Sequence, residues 1–272
     1  MTAPEWRQVT ITFPDPHAAE QTAGTHLAPI LAEAEARQLI TTWFYVRKGD
    51  WRLRHLPAAA TKDADRYLTG ELERLTRDSR ICGAVPGIYE PETCAFGGPA
   101  AMDIAHQLWH HDSRHLLTRD NGRVTNRERE TSIILLAAMT RAAGLDWYEQ
   151  GDVWARVADH RDPTQPDRVD SLLNAARRLL TVDPAILRQQ APSAGYDTVI
   201  EAYTSAGDAL RRINQTGQLH RGLRATLAHH VIFAWNRRSI PGPQQAALAT
   251  AAKTVVFGPD PTHGELIPGG AS

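Results

Sequence analysis

The chain has 272 residues, 42% hydrophobic and 22% charged, the make-up of an ordinary folded protein rather than a disordered or fibrous one. Its 30 Lys and Arg against 31 Asp and Glu leave a formal charge of −1, which excludes the bulk basic field of a nucleic-acid binder. The N-terminus MTAPEWRQV is polar and no apolar run of about 18 residues occurs, so neither an export signal nor a membrane span is predicted.

The first hundred residues alternate between two periods. Arg7–Phe13 places Val9, Ile11 and Phe13 on one face of a strand, and Ala18–Gln38 carries Ala23, Leu27, Ile30, Leu31 and Ala34 at helical spacing. Ile40–Arg47 and Trp51–Leu56 read as strands joined by a tight turn at Lys48-Gly49-Asp50. Ala64–Asp78 is a second helix, and Ile81, Val85 and Ile88 carry a last strand that Gly83, Pro86 and Gly87 interrupt. The order β-α-β-β-α-β predicts an α+β protein with a ferredoxin-like sheet, both helices on one face and the other face free to build a site.

After Gly98 the pattern turns helical: Pro99–Leu117, Asn126–Ala143, Asp146–Asp159, Asp167–Leu180, Tyr196–Gln215, Leu219–Arg237 and Gln244–Val256, punctuated by Gly144, Gly217 and Gly242. Arg161–Pro166 and Gln189–Gly195 are the predicted loops. The predicted organisation is a sheet-bearing half, 1–97, and a helical half, 98–258, forming one domain together. A Pro- and Gly-rich tail at 259–272 is expected to be mobile and without function. Cys82 and Cys94 make no disulfide framework and no CxxC pair, which points to a reducing cytoplasm, and both are expected to be small buried hydrophobes.

Several clusters could carry chemistry. Arg52 and Arg54 alternate onto one strand face with Arg47 nearby, where they either pair with acids such as Glu90 and Glu92 or grip a carboxylate. Tyr89, Glu90 and Glu92 lie in an extended stretch that Gly97 and Gly98 turn into a helix opened by Pro99. His106, His110, His111 and His115 offer two i,i+4 pairs beside Asp112. They lack the HExxH order and point about 100 degrees apart, so no metal is expected. Of His229 and His230, one is expected to pack in the core with a satisfied ring nitrogen and the other to meet solvent.

Four ordered motifs carry more than their physics: WFYVRKGDWRLR at Trp43–Arg54, YEPETCAFGG from Tyr89, GLDWYEQGDVWARV at Gly144–Val157 and LAHHVIFAWNRR at Leu227–Arg238. Together they resemble the thiopeptide-type bacteriocin biosynthesis family. That family includes the glutamate-elimination domain of lanthipeptide dehydratases, its stand-alone form in split thiopeptide systems, and related pyridine synthases. The resemblance runs from Trp6 to about Gly258. It implies that a glutamylated Ser or Thr of a precursor peptide loses glutamate to give dehydroalanine or dehydrobutyrine, without metal or organic cofactor. The implied partners are that peptide and a separate glutamylating dehydratase subunit.

The resemblance carries Arg52 and Arg54 over as functional arginines. It marks Asp112-Ser113-Arg114 as a motif that anchors a helix end or contacts peptide. Members of the family carry a histidine two residues before the Asn236-Arg237 pair, and this chain has Ala234 there. The chain is therefore either a divergent or different-function member or an alanine variant, and the acid/base role falls to another group. His230 and Arg237, on one helical stripe with Ala234, are the nearest replacements.

The expected catalytic set is thus Arg52, Arg54, His230 and Arg237. Arg47, Tyr89, Glu90, Glu92, Ser113, Arg114, Ala234 and Asn236 are expected around the substrate. A pyridine synthase-type cyclisation with leader release and a non-catalytic peptide scaffold are the alternative functions. Arg177, Arg178, Arg211, Arg212, Arg221 and Arg224 read first as solvated helix faces; an acidic leader docking on such a surface, or adding a strand to a sheet edge, is the other option.

Overall fold

A computed structural model describes residues 5–59, 62–119, 127–190 and 195–258, so the tail from 259 lies outside the described residues. Strand β1 (Arg7–Thr12) leads into α1 (Ala19–Thr22), a π turn (Ala23–Leu27) and α2 (Ala28–Ala36), which run on as one rod. The four-residue spacing of Ala19, Ala23, Leu27 and Leu31, all buried, would drift about 40 degrees per step around an α-helix. The wider π turn absorbs part of that drift and keeps all four in one core. Periodicity alone predicted an unbroken α-helix.

Strands β2 (Ile40–Lys48) and β3 (Asp50–Pro57) pair antiparallel across Gly49, whose φ of 75° suits a residue without Cβ. Helix α3 (Asp63–Arg77) and strand β4 (Gly83–Gly87) complete a four-stranded antiparallel sheet in the order β2-β3-β1-β4. Ile88, assigned to the last strand from sequence, falls outside it and is exposed.

Trp43, Tyr45, Trp51 and Leu53 pack on one face of this sheet with Leu31, Leu68 and Leu72 of the helices that follow β1 and β3. The other face presents Phe44 and Val46 to the helices that come later. Those helices are α4 (Pro99–Thr118), α5 (Glu128–Ala142), α6 (Trp147–Asp159), α7 (Pro166–Thr181), α8 (Ile186–Gln190), α9 (Tyr196–Gln215), α10 (Leu223–Arg237) and α11 (Gly242–Phe257). The fold is mixed α+β. No helix among the described residues is long and apolar enough to cross a membrane.

Local rules explain most boundaries. Asp146 caps α6 with its carboxylate on the Glu149 N–H while Glu149 bonds the Asp146 N–H, a reciprocal pair that satisfies two orphan donors. Prolines open α4 and α7. Three features differ from the sequence expectation. Cys82 and Cys94 are exposed rather than buried, because each sits in the irregular segments flanking β4. Helix α8 takes the first two residues of the loop predicted at Gln189–Gly195, and residues 191–194 of that loop lie outside the described residues. Residues from Leu219 to Gly222 are not helical, and the reason is a backbone clasp: the His220 N–H donates to the Gly97 carbonyl at 2.8 Å.

Gly97 and Gly98 have φ of 95° and 107°. A Cβ on Gly98 would stand 2.9 Å from the His220 ring, and one on Gly97 2.6 Å from Leu219. Both position and torsion therefore demand glycine at this strand-to-helix corner.

Candidate functional site

The site begins with the edge of β2. His110 Nδ1 lies 3.2 Å from the Trp43 backbone nitrogen, and Ser113 Oγ accepts from the Tyr45 N–H at 3.3 Å. Helix α4 thereby occupies the outer edge of the sheet and fixes the position of β2 relative to the helices. Beneath it lies an ionic core. Asp112 accepts from Arg238 NH2 at 2.5 Å and from Tyr203 OH at 3.1 Å, and pairs with Arg237 NH2 at 3.0 Å. Burial raises the Asp112 pKa, but Arg238 and then Arg237 outweigh it and hold the carboxyl at about 2. Arg238 is raised above its ordinary value, since Asp112 and Tyr203 overcome the opposing cost of burial. Arg119 pairs with Glu128 in the same region.

Above that core, a cavity of about 240 Å³ opens between the sheet and α10. Val46, Arg47, Arg52 and Arg54 form its sheet wall, and His229, Ile232, Phe233, Asn236 and Arg237 its helix wall, with Glu92 at the loop side. Positions 229, 232, 233 and 236 follow helical spacing, so a single face of α10 supplies this wall.

The four arginines differ in what holds them. Arg52 makes no hydrogen bond or ion pair with any described residue. Arg54 donates through Nε to Gln8 Oε1 at 2.9 Å and its guanidinium lies 4.2 Å from the Tyr89 ring centroid. Burial and then, after the favourable pull of Tyr89, the neighbouring Arg52 charge act on Arg54, whose pKa is lowered. Arg47 pairs with the buried carboxylate of Glu20 at 2.5 Å and stacks over Trp51. Arg237 is held through its two terminal nitrogens by Asp112, Ser113 Oγ and the Trp109 carbonyl, so it forms the floor of the cavity as a fixed charge.

The expected residues therefore divide. Arg47, Arg52, Arg54, Glu92, Asn236 and Arg237 come together around one cavity. Tyr89 does not line it: its hydroxyl sits 2.8 Å from His106 Nε2 and its ring supports Arg54. Burial raises the Tyr89 pKa, and burial lowers that of His106 to about 4, which keeps the pair neutral. Glu90 is exposed outside the cavity. Ser113, expected near the substrate, has 0% exposure and ties β2 to Arg237. Arg114 pairs with Glu35 of α2 instead.

His230, expected as an acid/base group, is buried with neither ring nitrogen hydrogen-bonded among the described residues. Burial lowers its pKa to about 3. It packs edge-on against Phe96 rather than reaching the cavity. Ala234 is 6% exposed and belongs to the hydrophobic core, not to the lining. The histidine that does line the cavity is His229, with Nε2 at 3.4 Å from Glu92 Oε2. Its pKa is lowered by burial against the opposing pull of Glu92, so the ring is a neutral base at neutral pH. Gln8 was likewise missed, although its place on β1 opposite Arg54 follows from strand pairing.

The histidines of α4 turn to separate neighbours: His106 to Tyr89, His110 to Trp43 and Glu35, His115 to Tyr196. No group of three metal-ligating side chains occurs among the described residues.

Known proteins were compared with this architecture. No curated protein sequence matches the chain. Among solved structures it is similar to the tRNA dependent lantibiotic dehydratase MibB from Microbispora sp. 107891, with a TM-score of 0.65 and 18% identity over 94% of this chain. The chain spans 29% of the length of MibB. It is also similar to TsrL, with a TM-score of 0.56, 15% identity and coverage of 95% of this chain and 99% of TsrL. At these identities the likeness is one of fold. The model of the lantibiotic biosynthesis dehydratase C-terminal family matches residues 6–256, and the chain belongs to that family.

Proposed function

We propose that this chain removes glutamate from glutamylated Ser or Thr residues of a ribosomal precursor peptide, leaving dehydroalanine or dehydrobutyrine. The observation that carries this reading is the cavity that sets an uncommitted Arg52 guanidinium and Arg54 opposite a neutral His229. His229 takes the alpha proton of the glutamylated residue, the Cα=Cβ bond forms as the Cβ–O bond breaks, and the departing carboxylate keeps the electron pair. Arg52 and Arg54 receive the charge of the leaving group, and Arg237 supplies a fixed positive floor. Asn236 adds a neutral donor.

On this reading the substrate comes from a separate glutamylating subunit, supported by the description of MibB as a tRNA dependent dehydratase. The β-α-β-β-α-β order and the strand order β2-β3-β1-β4 support the ferredoxin-like description of the sheet. On this reading the sheet half and the helical half act as one unit, with the cavity between them, and the chain works in the cytoplasm.

A pyridine synthase-type cyclisation is the second reading, favoured by Ala234 in place of the motif histidine. Its weight is reduced by the position of Ala234, which lies outside the cavity. Mass spectrometry of a glutamylated precursor peptide incubated with the chain separates the two. We expect loss of glutamic acid from the modified residue; an unchanged glutamylated peptide, together with ring formation in a peptide carrying two dehydroalanines, overturns the first reading in favour of the second.

A further inference from the structure

Asn236 lines the cavity on one side and touches α11 on the other. Gln245 of α11, 2% exposed, donates through Nε2 to Asn236 Oδ1 at 3.0 Å and to the Ile240 carbonyl at 2.7 Å. Its Oε1 accepts from Arg161 Nε at 3.0 Å and Arg161 NH2 at 2.6 Å.

The chemistry of these partners removes the usual ambiguity of an amide. A guanidinium only donates and a backbone carbonyl only accepts, so Gln245 must turn its oxygen to Arg161 and its nitrogen to Ile240. The second proton of that nitrogen then reaches Asn236, which must offer its oxygen. With its oxygen taken by Gln245, the Nδ2 end of Asn236 is the amide group left for the cavity that the residue lines.

We propose that Gln245, oriented by Arg161, is a positioning residue that sets Asn236 to present an N–H donor to the carboxylate-bearing group of the substrate. The inference rests on the elimination reading for the identity of that substrate, but the hydrogen-bond relay itself does not. The relay joins three elements, α6's following loop, α11 and α10, so the donor is fixed before any substrate arrives. A pre-set neutral donor beside two arginines favours a planar carboxylate or ester over a spherical anion, since it adds direction where the arginines supply charge.

Gln245→Glu tests this. The substituted side chain keeps its size and still accepts from Arg161, but it has no proton to give. Asn236 then turns its NH2 towards the new carboxylate and withdraws it from the cavity. With the glutamylated peptide we expect KM to rise about tenfold, the scale of one lost hydrogen bond to a charged group, with kcat changed less. Asn236→Ala, which removes the same donor, should do the same, and the double variant should be no worse than Asn236→Ala alone. Additive losses overturn the proposal.

Side-chain amide exchange by NMR in the unliganded protein gives a readout free of activity and of folding loss. In the unaltered chain we expect slow exchange at Gln245 Nε2 and fast exchange at Asn236 Nδ2, and in Gln245→Glu a newly protected Asn236 proton. The opposite pattern, Asn236 Nδ2 protected and Gln245 Nε2 free in the unaltered chain, overturns the relay. An unaltered chain that releases no glutamate counts against the elimination reading, while the exchange pattern still decides the relay.

Discussion

His229 Nε2 stands 3.4 Å from Glu92 Oε2 across the mouth of the cavity, while the adjacent His230 points into the core. One residue along a helix turns a side chain by about 100 degrees, and that rotation separates the proposed base, which lines the cavity, from a packing residue.

His229→Ala should therefore lower glutamate release by about 100-fold, in line with loss of a general base, with little change in stability because the ring is half-buried at the surface. The pH profile carries the sign. Burial lowers the His229 pKa and Glu92 raises it, so the rate should climb with pH through a limb centred below the ordinary histidine value, where the ring loses its proton. Glu92→Gln removes the raising partner, and the limb should move to lower pH. A limb that stays in place, or moves up, contradicts the assignment.

Arg52 and Arg54 should part company when each is replaced by Ala. Arg52 has no partner among the described residues, so Arg52→Ala should leave the denaturation midpoint unchanged while weakening glutamate release. Arg54 is bonded to Gln8 and stacked on Tyr89, so Arg54→Ala should also cost about 1 to 2 kcal/mol of stability. Parallel urea melts and peptide assays compare them directly. Equal stability losses would remove the distinction between a free and a seated arginine.

Much of this was legible in the sequence. The alternation of β3 put Arg52 and Arg54 on one face without any knowledge of the fold. Asp146 with Glu149, and the prolines opening α4 and α7, marked helix starts through chemistry that acts over four residues. What failed was the phase of α10: LAHHVIFAWNRR is apolar or aromatic on nearly every side, so no polar stripe announces which face meets the sheet. Sequence spacing then favoured His230, because it lies in line with Ala234 and Arg237. Tertiary contacts set the phase differently. Arg237 and Arg238 are drawn inwards by Asp112 from α4, and His229 is what remains facing the cavity. An ion pair between residues more than a hundred positions apart leaves no local signature, and neither does the link from Gln245 to Asn236.

That ion cluster makes a sharp expectation of its own. Asp112→Asn removes the carboxylate that Arg237 and Arg238 share and leaves Arg238 with Glu128 at 3.9 Å, and removing one partner of a buried pair costs about 3 to 5 kcal/mol. Chemical denaturation at neutral pH measures the loss. A change under about 1 kcal/mol would mean that the cluster behaves as an exposed one.

Acid should unfold the protein through its buried histidines. Burial, ahead of nearby arginines where these contribute, holds His106 and His115 at about 4, His110 at about 4 and His230 at about 3. The unfolded chain takes up these protons near the ordinary value of about 6.5, and the folded chain does not. Stability must then fall as pH drops from about 6.5 towards the folded values, by up to about 1.4 kcal/mol per pH unit for each histidine. His230→Leu should flatten that slope by one such increment between about pH 6 and pH 4. Urea midpoints at pH 7, 6 and 5 for both proteins give the comparison, and an unchanged slope contradicts the placement of His230.

Ala234→His examines the motif position itself. Ala234 is 6% exposed, one turn after His230 and one turn before Arg238, whose N–H bonds the Ala234 carbonyl. An imidazole there has to displace packed side chains, and overfilling a core costs about 1 to 3 kcal/mol. It would also add a polar ring beside His230, which already lacks a hydrogen-bond partner among the described residues. Because the position does not line the cavity, the added ring gains no access to the alpha proton of a bound peptide. We expect Ala234→His to melt earlier than the unaltered chain and to release glutamate no faster. Faster release would show that α10 turns its other face to the substrate, and the base would then belong to position 234 rather than to His229.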